Sequence, residues 1–144
     1  MNRASAAAAI DNDAVRARLL ACGIRVTDQR LRIARVLLAA SQHLSAEQVS
    51  DALRRGGARV SKATVYNTLN LFAECGVVRQ LAVDGAHTWF DSNIEPHYHF
   101  QDEVTGQLTD VALPDVQFTR LPPAPAGMEY AGVDLVIRLR RRNG

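Results

Sequence analysis

The chain has 144 residues, is 47% hydrophobic and 22% charged, and carries a formal net charge of +2, the balance of a globular protein of one domain or two small ones with no apolar run near the roughly 18 residues of a membrane span. Cys22 and Cys75 are its only cysteines, which excludes a four-cysteine zinc site and fits a reduced, cytoplasmic protein that lacks a disulfide framework. The charge is uneven, with 12 Arg and Lys against 7 Asp and Glu in residues 1–90 and 5 against 8 in residues 91–144, so a basic half suited to a polyanion precedes an acidic half with another task.

The opening "MNRASAAAAIDND" has no long apolar core and turns acidic, so it reads as a frayed terminus and not a signal peptide. Asp11 to Ala21 reads as a first helix, with Val15, Leu19 and Leu20 on one side and Gly23 at its stop. Thr27 is placed to cap a second helix carrying the stripe Leu31, Ala34, Leu37 and Leu38. Ser45 is placed to cap a third, with Ala46, Val49 and Leu53 inward. In the fourth, "VSKATVYNTLNLFAECGVV", Ser61 is the cap and Gly76 the stop. Val65, Leu69 and Phe72 make a narrow inward face, while Ala63, Tyr66, Asn67 and Asn70 make an outward face that is polar yet uncharged.

"VVRQLAVDGAHTWF" reads as a hairpin, with strands over 77–83 and 87–90 and a turn at Asp84-Gly85. Helices followed by a hairpin give the order of a winged helix-turn-helix, the fourth helix entering a major groove and the hairpin forming the wing. On that reading Tyr66 and Asn67 face the bases. Ser61, Lys62 and Thr64 stand at the helix N-terminal end, where backbone N–H groups and a lysine suit phosphate.

After Phe90 the character changes. Strands are expected over 98–101 and 107–111 around a turn at Thr105-Gly106, followed by a proline-rich stretch. In "YAGVDLVIRLRRR", Val133, Leu135, Ile137 and Leu139 alternate with polar residues as one strand face. That apolar face is too large for so thin a half to cover, and a homodimer sharing a sheet is the natural solution. His97 and His99, two apart in an extended segment, project to the same side. They suit either a metal ion or a solvated strand face.

The blocks "GIRVTDQRLRIARVLL", "HLSAEQV", "SKATVYNTLNLFAECGVV" and the later "FD" and "HYH", in this order over about residues 12–111, strongly resemble the ferric uptake regulator family of bacterial transcription factors. "TVYNTL" and the C-terminal tail look most like its iron response branch, and the histidine-acid pattern looks equally like its peroxide-responsive branch. The resemblance implies an α+β protein: an N-terminal winged helix-turn-helix domain over 1–90, then a small α+β dimerisation and metal-sensing domain over 91–144. It implies a dimer that binds double-stranded DNA at A/T-rich inverted repeats and controls iron homeostasis or oxidative-stress genes in response to metal or haem. The family's regulatory metal positions fall on His43, Asp91, His97, His99 and Asp110. Its basic residue before the second helix falls on Arg25, placed to reach phosphate or a minor groove.

These five side chains form a mixed nitrogen and oxygen set that suits Fe(II), Mn(II) or Zn(II); an imidazole would equally serve haem as an axial ligand. An ion joining the two halves would fix the angle between them and so the spacing of two recognition helices. The chain also departs from the family. Asp102 and Thr105 stand where the first cysteine pair of the structural zinc site would be, Asn67 replaces an arginine, and Pro96 and Tyr98 interrupt the iron response branch's run of histidines. Two other classes compete, a small His/Asp metalloenzyme and a winged-helix interaction module that never touches DNA. The chain has no H-E-x-x-H and no phosphate loop to favour the enzyme.

Overall fold

Asp11, Thr27, Ser45 and Ser61 each hold extended backbone and turn a side-chain oxygen back onto the first turn of a helix. Their hydroxyl or carboxyl oxygens accept the N–H of Asp13, Arg30, Gln48 and Thr64 at 3.1 to 3.2 Å. Each such cap is worth about 1 kcal/mol. At Ser45 it is reciprocal, because Gln48 Oε1 accepts the Ser45 N–H at 3.0 Å. The helices that follow are α1 (Asn12–Ala21), α2 (Asp28–Leu38), α3 (Ala46–Arg55) and α4 (Lys62–Glu74). The structure, a computed structural model, describes residues 11–82, 85 and 87–143. The expected turn at Asp84 and the N-terminal segment lie outside those residues.

The chain divides into two compact units, the second beginning at Glu95. In the first, the inward faces of the four helices meet in one core. Val15 and Leu19 come from α1, Ile33 and Leu37 from α2, Val49 from α3, and Val65, Leu69 and Phe72 from α4, all fully buried. Leu31 and Leu38, expected in the α2 stripe, are only half-buried, and Ile33 takes the inward place instead. α4 ends at Cys75, and Gly76 takes the left-handed backbone (φ 80°) that a side chain would disfavour.

A three-stranded antiparallel sheet completes this unit. Its order is β1 (His43–Ser45), β3 (Thr88–Asp91), β2 (Arg79–Ala82). The hairpin strands fall where expected but with other bounds, β2 starting at Arg79 and not at residue 77, and β3 running from Thr88 to Asp91; β1 was not expected, because three residues are too few to show an alternation. Phe90 on the central strand enters the helical core, while Trp89 and Asp91, its neighbours in sequence, point to the opposite face.

In the second unit, β4 (Tyr98–Asp102) lies between β5 (Leu108–Val111), antiparallel to it, and β6 (Val136–Leu139), parallel to it. A single 3₁₀ turn, Leu113–Asp115, starts the proline-rich stretch. Strand β6 is shorter than the sequence alternation suggested, so Val133 and Leu135 fall outside it. The register explains why. His99 pairs with Val136, so residues before Val136 would have to pair with the segment leading back to Pro96, which offers no N–H. The last contribution before the strand is the Leu135 carbonyl, which accepts the His99 N–H at 3.1 Å.

Candidate metal centre and nucleic-acid interface

In the first unit the key pair is His43 and Asp91. They stand directly opposite in the β1–β3 register, and His43 Nε2 lies 3.1 Å from Asp91 Oδ2. Both are buried, Asp91 completely. The other oxygen of that carboxylate, Oδ1, accepts the Asn93 N–H at 2.9 Å, which fixes the plane of the group.

A polar clasp holds the two strands in this register. Ser92 Oγ accepts the Gln42 N–H at 3.0 Å and donates to the Ala40 carbonyl at 2.9 Å, and the Ser92 N–H donates to the Gln42 carbonyl at 3.1 Å. The Gln42 side chain donates in turn to the carbonyls of Val36 and Leu37 at the end of α2. These bonds, each worth about 1 kcal/mol net, tie the loop before α3 to the end of the wing. Sequence reading missed the clasp, and it also missed Arg79. Arg79 faces Asp91 from the other side in the β2–β3 register, so the carboxylate has a histidine strand on one flank and an arginine on the other.

In the second unit His97 and His99 bracket Tyr98, with ring centroids 4.5 Å apart in an edge-to-face arrangement. Both are buried. Asp110 lies opposite His99 on β5, and its Oδ1 is 3.3 Å from His97 Nε2 and 4.0 Å from His99 Nε2. His97 Nδ1 meets the Glu95 carbonyl, which assigns the proton of a neutral ring to Nδ1 and leaves the Nε2 lone pair toward Asp110. One donor atom from each of His97, His99 and Asp110 lies within 4.8 Å of the others.

In each unit the donor types and their spacing suit ligands of a divalent ion. Neighbouring ligands about 2.1 Å from an octahedral ion stand about 3 Å apart, close to the 3.1 Å of His43–Asp91 and the 3.3 Å of His97–Asp110. Imidazole and carboxylate without thiolate suit Fe(II), Mn(II) or Zn(II).

The residues expected to meet nucleic acid all lie in the first unit. Tyr66 and Asn67 are exposed in the middle of α4, on the side away from Val65, Leu69 and Phe72. Tyr66 also lines a cleft of about 250 Å³ with Glu47 and with His87 and Thr88 of the wing. Lys62 is exposed in the first turn. Ser61 and Thr64 serve the cap itself: besides accepting the Thr64 N–H, Ser61 Oγ donates to Thr64 Oγ1 at 2.8 Å. Arg25 is exposed ahead of α2, where its carbonyl accepts from Arg30 Nη1 at 2.9 Å. Among the described residues no helix is long and apolar enough to cross a membrane.

Comparison with known proteins shows the family. Residues 21–136 match the ferric uptake regulator family. The peroxide-responsive repressor PerR of Staphylococcus aureus is 35% identical over 100 residues, covering 69% of this chain and 68% of that protein. The structure of the ferric uptake regulator from Pseudomonas aeruginosa with manganese is 27% identical, covers 89% of this chain and 98% of its own, and superposes with a TM-score of 0.67. The Vibrio cholerae ferric uptake regulator is 25% identical over 91% of this chain and all of its own, also at 0.67. The chain belongs to the ferric uptake regulator family of metal-responsive, DNA-binding transcriptional regulators, and it is a regulator rather than an enzyme.

Proposed function

We propose that His43, Asp91, His97, His99 and Asp110 serve one divalent ion, Fe(II) or Mn(II), and that its binding sets the affinity of a homodimer for A/T-rich inverted repeats in the promoters of iron or oxidative-stress genes. The observation that carries this reading is the buried Asp91 carboxylate, with one oxygen held by Asn93 and the other facing His43 Nε2. His43 Nε2 and Asp91 Oδ2, both buried and 3.1 Å apart, stand at about the spacing of neighbouring ligands on one octahedral ion. The first unit supplies two donors and the second three, while Fe(II) and Mn(II) take five or six. Neither set is sufficient alone, so joining them supplies the coordination number as well as the switch.

Two of the named relatives point to two signals. The Pseudomonas aeruginosa structure was determined with manganese and the Staphylococcus aureus relative is peroxide-responsive. In a mixed imidazole–carboxylate set, bound Fe(II) would supply a centre at which peroxide reacts, and His43 and His97 would be among the oxidisable side chains around it. Zn(II) and haem are the rival ligands. The test is operator binding by the purified protein, titrated in turn with Fe(II), Mn(II), Zn(II) and haem. A metal-dependent change in affinity supports the reading. After Fe(II) and peroxide, mass spectrometry should find one oxygen added to His43 or His97. A stoichiometric Soret band lost in His97→Ala, with no histidine oxidation, would assign the site to haem.

A further inference from the structure

A cavity of the first unit lies away from the proposed metal ligands, at the turn between α3 and α4. It measures about 560 Å³ and is walled by Arg54 from the end of α3, Arg59 and Val60 from the turn, Ser61 and Lys62 from the start of α4, and Ser50 behind them. Three cations border it, and no acidic residue does. Among the described residues neither Arg59 nor Lys62 has an ion pair or a side-chain hydrogen bond, and the only ion pair of Arg54 is an exposed one to Asp51 at 3.6 Å. Like charges gathered around one cavity repel each other, so the arrangement is relieved by an anion. The Ser61 hydroxyl is committed to Thr64, which leaves the three side chains as the donors.

We infer that this cavity, formed by Arg54, Arg59 and Lys62, is a binding site for a backbone phosphate of duplex DNA. The inference rests on the DNA-binding reading of α4 and deepens it. Lys62 belongs both to the cavity and to the helix that exposes Tyr66 and Asn67, so a strand whose bases face those residues runs its phosphates past the turn. Arginine at this site would position the helix and carry no sequence preference, because phosphate contacts fix register while base edges carry the information. Arg54 and Arg59 thereby join the interface, although the sequence pattern did not single them out.

The test is the salt dependence of binding, measured with a short A/T-rich inverted-repeat duplex and a scrambled duplex of the same composition. The parent, Arg59→Ala, Arg59→Lys and the double variant Arg54→Ala/Arg59→Ala are compared. All the altered side chains are exposed, and circular dichroism checks that each variant is folded. Each lost cation should flatten the slope of log K against log salt by about one unit per subunit. The ratio of affinities for the two duplexes should not change, and Arg59→Lys should keep the parent slope. A parent that binds the repeat while Arg59→Ala and the double variant keep its slope would overturn the cavity site and leave the DNA-binding reading standing. A parent that binds neither duplex would overturn both. Saturable binding of inorganic phosphate or single-stranded RNA that is lost in Arg59→Ala, with the duplex slope unchanged, would reassign the cavity and overturn the inference.

Discussion

Asp91 and His43 face each other across adjacent antiparallel strands, carboxylate Oδ2 to imidazole Nε2 at 3.1 Å, in a register held by the Gln42–Ser92 clasp. The pair joins the loop before α3 to the end of the wing. Replacing Asp91 by Asn keeps the shape and the oxygen that accepts from Asn93 but removes the charge. Mn(II) affinity should therefore fall at least 10- to 100-fold, with the far-ultraviolet circular dichroism unchanged. Asp91→Ala leaves the Asn93 N–H without that acceptor and should in addition cost about 1–3 kcal/mol of stability, read from urea unfolding.

At the β4–β5 turn, Asp102 does the work of a local clamp. Its Oδ1 accepts the N–H of Val104 at 2.8 Å and of Thr105 at 3.1 Å, and the Gly106 N–H returns to the Asp102 carbonyl at 2.8 Å with Gly106 at φ 73°. The Thr105 and then the Val104 N–H hold the carboxyl below its ordinary value of 3.8, with a smaller push from Arg141. A depressed folded-state pKa contributes stability that is present above the unfolded value and is lost as pH falls through the folded one. Asp102→Ala should lower the melting temperature at neutral pH, and the gap from the parent should close in acid, below both values. A gap that stays constant from neutral to strongly acidic pH would show that the carboxylate does not hold the turn.

Lys62 and Asn67 should separate affinity from specificity. Lys62→Ala should weaken binding to all duplexes and flatten the salt slope by about one unit per subunit. Asn67→Ala should relax preference at one base pair by about 1–3 kcal/mol while leaving the slope intact. Competition between operator variants at two salt concentrations reads both effects.

Assembly should depend on the edge strand β6. Leu139 is 44% exposed and Val133 37% exposed in the single chain, and among the described residues β6 has only β4 beside it. Leu139→Lys should convert a dimer to a monomer in sedimentation equilibrium and lower operator affinity, because two half-sites would no longer be engaged together. An unaltered dimer would remove Leu139 from the interface.

The helices were legible because local chemistry marks their ends: a Ser, Thr or Asp cap at the start of each and, for α1, α3 and α4, a glycine at or just past the finish. Phe72 and Leu69 could be placed in the core from their spacing alone. Strand β1 was not legible, since His43–Ser45 is held by partners on β3 and the Gln42 before it by the Ser92 hydroxyl, none of them neighbours in sequence. Arg79 escaped for the same reason, because only the register brings it opposite Asp91. The alternation of Val133, Leu135, Ile137 and Leu139 overstated β6, where the partner strand runs back into Pro96. The proposed metal ligands could be picked out through the family resemblance, and Arg59 could not, because a turn arginine acquires meaning only from the cavity around it.

The central claim is that donors from both units hold one ion that governs DNA binding. It is tested most directly by measuring Mn(II) stoichiometry together with operator affinity for the parent, for Asp91→Asn in the first unit and for His97→Ala/His99→Ala in the second. One ion per subunit in the parent, lost in either variant along with the metal-dependent part of operator affinity, is the expected result. Full metal binding by the double histidine variant, or operator affinity indifferent to Mn(II) in the parent, would contradict it.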